Sequence, residues 1–306
     1  MFSENIVCTY LYVITKYGYP PPADLTNQYL DEMAKLGFQT VELEGIREKH
    51  LLQVYSLKEK IKERLDTHNL KLPYFCAVLP GLTSVDKKER EKQLQLFEKG
   101  CEIAKLFSSF GILDNAPLPP YIFSDNIPVV RHYDEKVLAS AVLPEDTSWE
   151  EFWDYTIETY REACDIAARY NLTYQMHPSV GVLASNTKDF LDFHDSVKRD
   201  NLRFNLDTAN QFFMRDEPSQ SLKQLAGYVD YIHISDNRGE KVEHLSPGDG
   251  IINWNQFFET LDEINFKGYI GLDIGGEETK LNNVEGAYVS SAKWVENKWS
   301  LIKKDK

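Results

Sequence analysis

A short β-rich run followed by a longer helical stretch recurs eight times along the 306-residue chain, and this alternation limits its fold more than any other feature. The β-rich runs cover 6–12, 40–45, 71–78, 108–114, 171–177, 202–207, 228–235 and 268–275. Between them lie stretches with helical spacing and start signals. Asp24 opens the first helix and Gly37 ends it. Ser56, Ser84 and Ser148 open later ones, and the last covers about 285–302. Eight strands, each followed by a helix, predict an α/β fold, a single (β/α)8 TIM barrel occupying 1–306 as one domain. Barrels reach this length without dividing. One connection departs from the pattern. The proline-rich segment of about 115–147, between the fourth strand and fourth helix, is long enough to be a lid or a separate substructure. His132 within it is a candidate lid residue.

Alternation within the runs sets the two faces. Leu172, Tyr174 and Met176 oppose Thr173, Gln175 and His177; Leu202, Phe204 and Leu206 oppose Arg203, Asn205 and Asp207; Ile270, Leu272 and Ile274 oppose Tyr269, Gly271 and Asp273. The apolar set should pack on the helices and the polar set point into the barrel. Polar residues gather at the strand C-terminal ends, where barrel active sites sit. Charge narrows the partners: 34 Lys and Arg against 48 Asp and Glu give a net −14. Such a surface repels nucleic acid and anionic membranes. Cys8, Cys76, Cys101 and Cys164 form no CxxC pair and read as reduced thiols of a cytoplasmic protein. The N-terminal residues make a poor signal peptide, and no apolar run approaches a membrane span.

The last inward residues of the strands are Glu44, Gln175 with His177, Asp207, His233 and Asp273. Oxygen and imidazole groups converging on one mouth suit a divalent cation, Mn²⁺ first, with Mg²⁺, Co²⁺ or Zn²⁺ as alternatives. Each also has a structural reading. Asp207 and His233 could belong to an interior hydrogen-bond network, Asp273 could cap a turn, and Glu42 and Glu44 could form salt bridges. His50, His68 and His194 read as surface positions, and Tyr74 or Trp254 could stack on a sugar ring.

Four motifs in order carry a resemblance: Gln175-Met176-His177, Asp207-Thr208-Ala209-Asn210, His233-Ile234-Ser235-Asp236-Asn237 followed by Pro247-Gly248-Asp249-Gly250-Ile251-Ile252-Asn253-Trp254, and Phe266-Lys267-Gly268 with Asp273 five residues on. Together they resemble the xylose isomerase-like barrel superfamily of sugar epimerases, sugar isomerases, inosose dehydratases and the endonuclease IV group. The resemblance implies metal ligands at Gln175, Asp207, His233 and Asp273, where the family has Glu, Asp, His and Glu. It implies a carbohydrate substrate and, since related barrels often dimerise or tetramerise, a homo-oligomer. His177, Asp273 and Glu44 are the catalytic candidates. Asn210, Asp236, Arg238 and His244 are the substrate-binding ones, His244 the weakest, and a surface arginine is the other reading of Arg238.

The expected function is that of a metal-dependent sugar isomerase or epimerase. Gln175 supplies no charge and cannot act as a base, which puts the family's two-glutamate proton exchange in doubt. Two alternatives therefore stand beside it: a keto-sugar or polyol lyase or dehydratase, and a non-catalytic carbohydrate-binding barrel. DNA repair is disfavoured by the −14 charge and by Asn210, which replaces a histidine of the family.

Overall fold

Nine parallel strand segments form one sheet that curls into a ring. The computed structural model describes residues 1–115, 117–123, 135–146 and 148–304. Strand β1 is Ile6–Cys8; β2 runs Thr40–Val41 and resumes as Leu43–Ile46; β3 is Tyr74–Val78, β4 Gly111–Asn115, β5 Thr173–His177, β6 Leu202–Asp207, β7 Tyr231–Ile234 and β8 Tyr269–Leu272. Every neighbouring pair is parallel, and β8 returns to β1 with Val7 opposite Gly271. The first half of β2 pairs with β1 and the second half with β3. The ring therefore closes through Glu42, whose backbone N–H still donates to the Cys8 carbonyl. The result is the expected (β/α)8 barrel.

Helices α1 (Leu11–Tyr17), α2 (Thr26–Lys35), α3 (Arg47–Thr67), α4 (Lys87–Leu106), α5 (Glu135–Ala139), α6 (Trp149–Arg169), α7 (Thr187–Val197), α8 (Thr208–Phe213), α9 (Pro218–Gln224), α10 (Trp254–Glu263) and α11 (Val284–Lys304) lie along the chain between and after the strands. The outward strand residues build the core against them. Tyr174 meets Phe97 of α4 and stacks on Tyr160 of α6. Phe204 meets Phe190 of α7 at 4.8 Å between ring centroids. The inward set is polar, as the alternation predicts.

Some boundaries differ from expectation. Strand β1 ends at Cys8 because α1 begins three residues later. Helix α3 starts at Arg47, nine residues before Ser56: Arg47 takes a left-handed φ of 54° and the Ile46 N–H donates to His50 Nδ1. His50 is consequently buried rather than a surface residue, and burial lowers its imidazole to about 4. Asp86, not Ser84, caps α4. Short α8 was not expected. Within the 115–147 connection, Ile122 and Val142 form an antiparallel bridge and α5 lies between them in the chain; His132 lies outside the described residues. All four cysteines are buried free thiols, pushed up by burial. Among the described residues no helix is long and apolar enough to cross a membrane.

Candidate metal centre

Five buried side chains converge where β5 to β8 end: His177, Asp207, His233, His244 and Asp273. Two overlapping sets, His177–Asp207–His233 and Asp207–His244–Asp273, have ligand-type atoms within 4.8 Å of one another. The closest approaches fall in a narrow band. His177 Nε2 is 3.8 Å and His244 Nε2 4.0 Å from Asp207 Oδ2. Asp273 lies 3.9 Å from His233 Nδ1 and 3.8 Å from His244 Nε2. These gaps are too long for hydrogen bonds, yet a cation with bonds of about 2.0–2.2 Å can span them. Asp207 Oδ2 and His233 Nδ1 make no hydrogen bond among the described residues although both are buried. Orphaned buried polar atoms are expensive unless something completes them.

What turns the imidazoles is equally informative. His233 Nε2 lies 3.0 Å from Glu42 Oε2, and Glu42 also accepts from the Tyr231 hydroxyl and the Tyr10 N–H. His244 Nδ1 lies 2.8 Å from Glu278 Oε1. His177 Nδ1 lies 2.7 Å from Asn205 Oδ1, and the Asn205 amide donates from Nδ2 to the Tyr231 carbonyl, which fixes its orientation. A carboxylate or amide oxygen can only accept, so each ring carries its proton at that nitrogen. The other nitrogen faces Asp207 or Asp273. An oxygen acceptor behind a histidine that faces a cation is the usual support of metal-binding imidazoles. The donor set therefore fits a divalent cation.

Local folding brings these groups together. Asp207 ends β6 and caps α8, its Oδ1 accepting the Asn210 N–H at 2.8 Å, so Oδ2 is left for the centre. Thr9 of the β1–α1 turn donates to Asp273 Oδ1. Gly271 is the inward residue of β8 below Asp273, and a Cβ there would stand 2.6 Å from the Tyr231 hydroxyl and 3.1 Å from His233 Cδ2. Electrostatics show an excess of negative charge. Burial pushes the His233 ring down, but Glu42 and then Asp273 outweigh it and raise it to about 9. Burial, with Asp273 adding to it, raises Asp207 against the pull of His244 and His233. The proton held on His233 is one that a cation at Nδ1 would displace.

A family model for xylose isomerase-like TIM barrels matches residues 30–298. The chain belongs to that family. Within this xylose isomerase-like group, it is 25% identical over 170 residues to an inosose dehydratase of Erwinia tasmaniensis, an alignment covering 49% of this chain and 57% of that protein. It is 28% identical over 141 residues to a 2-oxo-tetronate isomerase of Haemophilus influenzae, covering 44% and 53%. The chain thus matches a little over half the length of these relatives. The fold superposes on D-allulose 3-epimerase of Methylomonas sp., solved in complex with D-allulose, with a TM-score of 0.72, 15% identity and coverage of 97% and 98%.

The xylose isomerase-like alignment of motifs needs correction at several positions. Gln175 does not reach the mouth: its amide points down the barrel, donating to Asp230 Oδ1 at 2.5 Å and to Thr173. His177, two residues further on the same face, turns its Nε2 toward Asp207. His244, expected to bind substrate, instead turns its Nε2 into the cluster. Asp236 is consumed within its own loop, accepting from the N–H groups of Asn237, Gly248 and Ile252 and from the Trp254 indole. Arg238 is half-exposed and tied to Glu243 and the Asp249 carbonyl. Asn210 lies beside the centre, donating to the Pro178 carbonyl. Of the two β2 glutamates, Glu42 is the one that touches a histidine among the described residues, and Glu44 stands opposite Cys76 on β3. Tyr74 stacks on Tyr231 inside the barrel, away from a ligand role. Sequence reasoning overlooked Glu278 and Asn205. Asn205 sat in view on the inward face of β6, whereas nothing in the Gly-Gly-Glu-Glu run marked Glu278.

Proposed function

We propose that this chain is a divalent-metal enzyme acting on a sugar, keto-sugar or sugar derivative, an isomerase or epimerase in the first instance. The observation that carries the reading is the trio His177, His233 and His244, each turned by an oxygen acceptor toward Asp207 or Asp273. Asp207, His233, His244 and Asp273 would hold the cation, Mn²⁺ before Mg²⁺, Co²⁺ or Zn²⁺. When bound it supplies Lewis-acid polarisation of a substrate carbonyl or hydroxyl.

The chain's own groups do the rest. Glu42 and Glu278 keep the proton on the far nitrogen of His233 and His244 and so hold the rings in place. His177 is backed by the neutral Asn205 amide rather than by a carboxylate. We assign its Nε2 to proton transfer at the sugar carbon beside the carbonyl, where an imidazole can take a proton and return it. The buried walls exclude bulk water from that exchange. Asn210 and the mouth residues position hydroxyl groups.

A second reading, elimination from a keto-sugar, is favoured by one specific observation. Gln175 points away from the mouth, so β5 offers an imidazole and no carboxylate there. One base can move a proton between adjacent atoms or start an elimination; inversion at a single carbon by opposed glutamates is not supported. We also read 1–306 as one domain. The four buried free thiols support a reducing compartment, the cytoplasm.

Metal analysis of protein purified without chelator tests the reading, together with turnover on aldose, ketose and keto-sugar panels. About one divalent ion per chain, lost in Asp207→Ala and in His233→Ala and weakened about 10- to 100-fold in Glu42→Gln, is expected. Protein that stays metal-free after incubation with Mn²⁺ would sink the proposal. Metal without turnover on any panel would leave a carbohydrate-binding barrel.

A further inference from the structure

A cavity of about 740 Å³ lies over the C-terminal ends of the strands next to the metal centre. None of the five cluster residues lines it, and its polar end comes nearest to them through Asn115 and Ser179. Asn115 is the strand partner of His177, and Ser179 lies two residues past His177. Its walls are mostly apolar, with Arg47, Glu89, Glu240 and Lys241 also on the lining, and the apolar groups are supplied loop by loop: Leu118 follows β4, Val180 follows β5, Phe213 follows β6 at the end of α8, and Val242 follows β7. These four apolar groups are only partly buried.

We infer that this cavity receives an apolar aglycone, so that the substrate is a glycoside or a sugar with a comparable ring substituent, its sugar ring at the metal centre. The inference rests on the carbohydrate reading above and goes beyond it. Size is the first argument. A hexose has about twelve heavy atoms, whereas cavities of roughly 300–1,000 Å³ enclose drug-sized ligands. Chemistry is the second. A bare polyol needs polar partners for every hydroxyl it buries; four aliphatic or aromatic side chains converging from successive loops offer none. An aromatic or alicyclic ring needs only contact and exclusion of water. Position is the third. The polar end is at Asn115 and Ser179, so a sugar held at Asp207 and His233 directs its substituent outward between Leu118 and Phe213.

Calorimetric titration of the Mn²⁺-loaded protein with methyl and phenyl glycosides of glucose and galactose, in both anomers, tests this. Free glucose, free galactose and phenol serve as references. At least one phenyl glycoside should bind about tenfold to a hundredfold more tightly than its methyl counterpart, the gain that burying one aromatic ring supplies. In Phe213→Ala and Val180→Asp that ratio should collapse toward one while metal content and methyl-glycoside binding stay unchanged. Equal binding of phenyl and methyl glycosides would overturn the aglycone inference alone. Binding of phenol as tight as that of the phenyl glycosides would overturn it too, by removing the sugar. No binding by any glycoside or sugar would overturn the carbohydrate reading and this inference with it.

Discussion

Asp114 shows what a single carboxyl can do outside the metal cluster. It is the penultimate residue of β4 and points outward, where its Oδ1 accepts the N–H groups of Leu79 and Asn115 and its Oδ2 the Tyr174 hydroxyl. Burial raises it to about 8, the two backbone donors pulling only partly the other way. An unfolded chain ionises the same carboxyl near 4. The folded state therefore carries an extra proton between these limits. Its stabilising effect is complete below about pH 4 and is lost as pH rises through 8. Asp114→Asn keeps an acceptor for both backbone donors and removes the titration. Between pH 5 and pH 8 the wild-type melting temperature should fall more than that of the variant. Parallel curves would mean that the carboxyl is already ionised at pH 5. The same scale explains why part of the site was hidden in the sequence. Gln175 and His177 share a face of one strand, and alternation cannot say which of them stands at the mouth. The depth of the strand end decides it, and depth is a property of the closed barrel.

The start of α6 was legible because a side chain of ordinary capping type makes the bond, and that of α3 was not because another residue does. At α6 the Glu151 N–H donates to Ser148 Oγ and the Ser148 N–H to Glu151 Oε2, a reciprocal pair visible as Ser-x-x-Glu. At α3 the comparable bond is Ile46 N–H to His50 Nδ1, and histidine is no start signal; Ser56 drew attention instead, nine residues inside the helix. Its hydroxyl merely donates back to the Gln53 carbonyl. Two serines that look alike in sequence should therefore respond differently. Ser148→Ala should cost about 1 kcal/mol, or roughly 2 °C in melting temperature for a chain of this size. Ser56→Ala should be neutral or slightly stabilising, because alanine is the better interior helix former. A loss at Ser56 equal to that at Ser148 would contradict these assigned starts. Short α8 escaped for a different reason: six residues carry too little periodicity, and its cap is Asp207, which already belonged to the metal argument.

At the scale of the whole molecule, the eightfold alternation was enough to predict the barrel, while its closure through Glu42 was not, because that residue reads simply as the middle of an alternating strand. Closure matters chemically. It puts a β2 carboxylate behind His233 of β7, across the ring, and so ties the site to the integrity of the fold. The five converging groups come from positions 177, 207, 233, 244 and 273, and an unfolded chain cannot present them together. A cation should bind the folded state almost exclusively and stabilise it by mass action. At a hundredfold excess over its dissociation constant the gain is about 2.7 kcal/mol, or roughly 5 °C here. Chelator should remove it, and Asp207→Ala should melt at one temperature with or without Mn²⁺. The sign of the pH effect follows from His233. Held at about 9 by Glu42 and Asp273 without a metal, it must surrender a proton when Nδ1 takes a cation. The thermal shift given by Mn²⁺ should therefore be larger at pH 8 than at pH 6, and proton release should accompany titration with the metal. A shift that grows as pH falls, or one that survives Asp207→Ala, would place the cation elsewhere on this acidic chain and leave the five buried groups as a hydrogen-bonded interior.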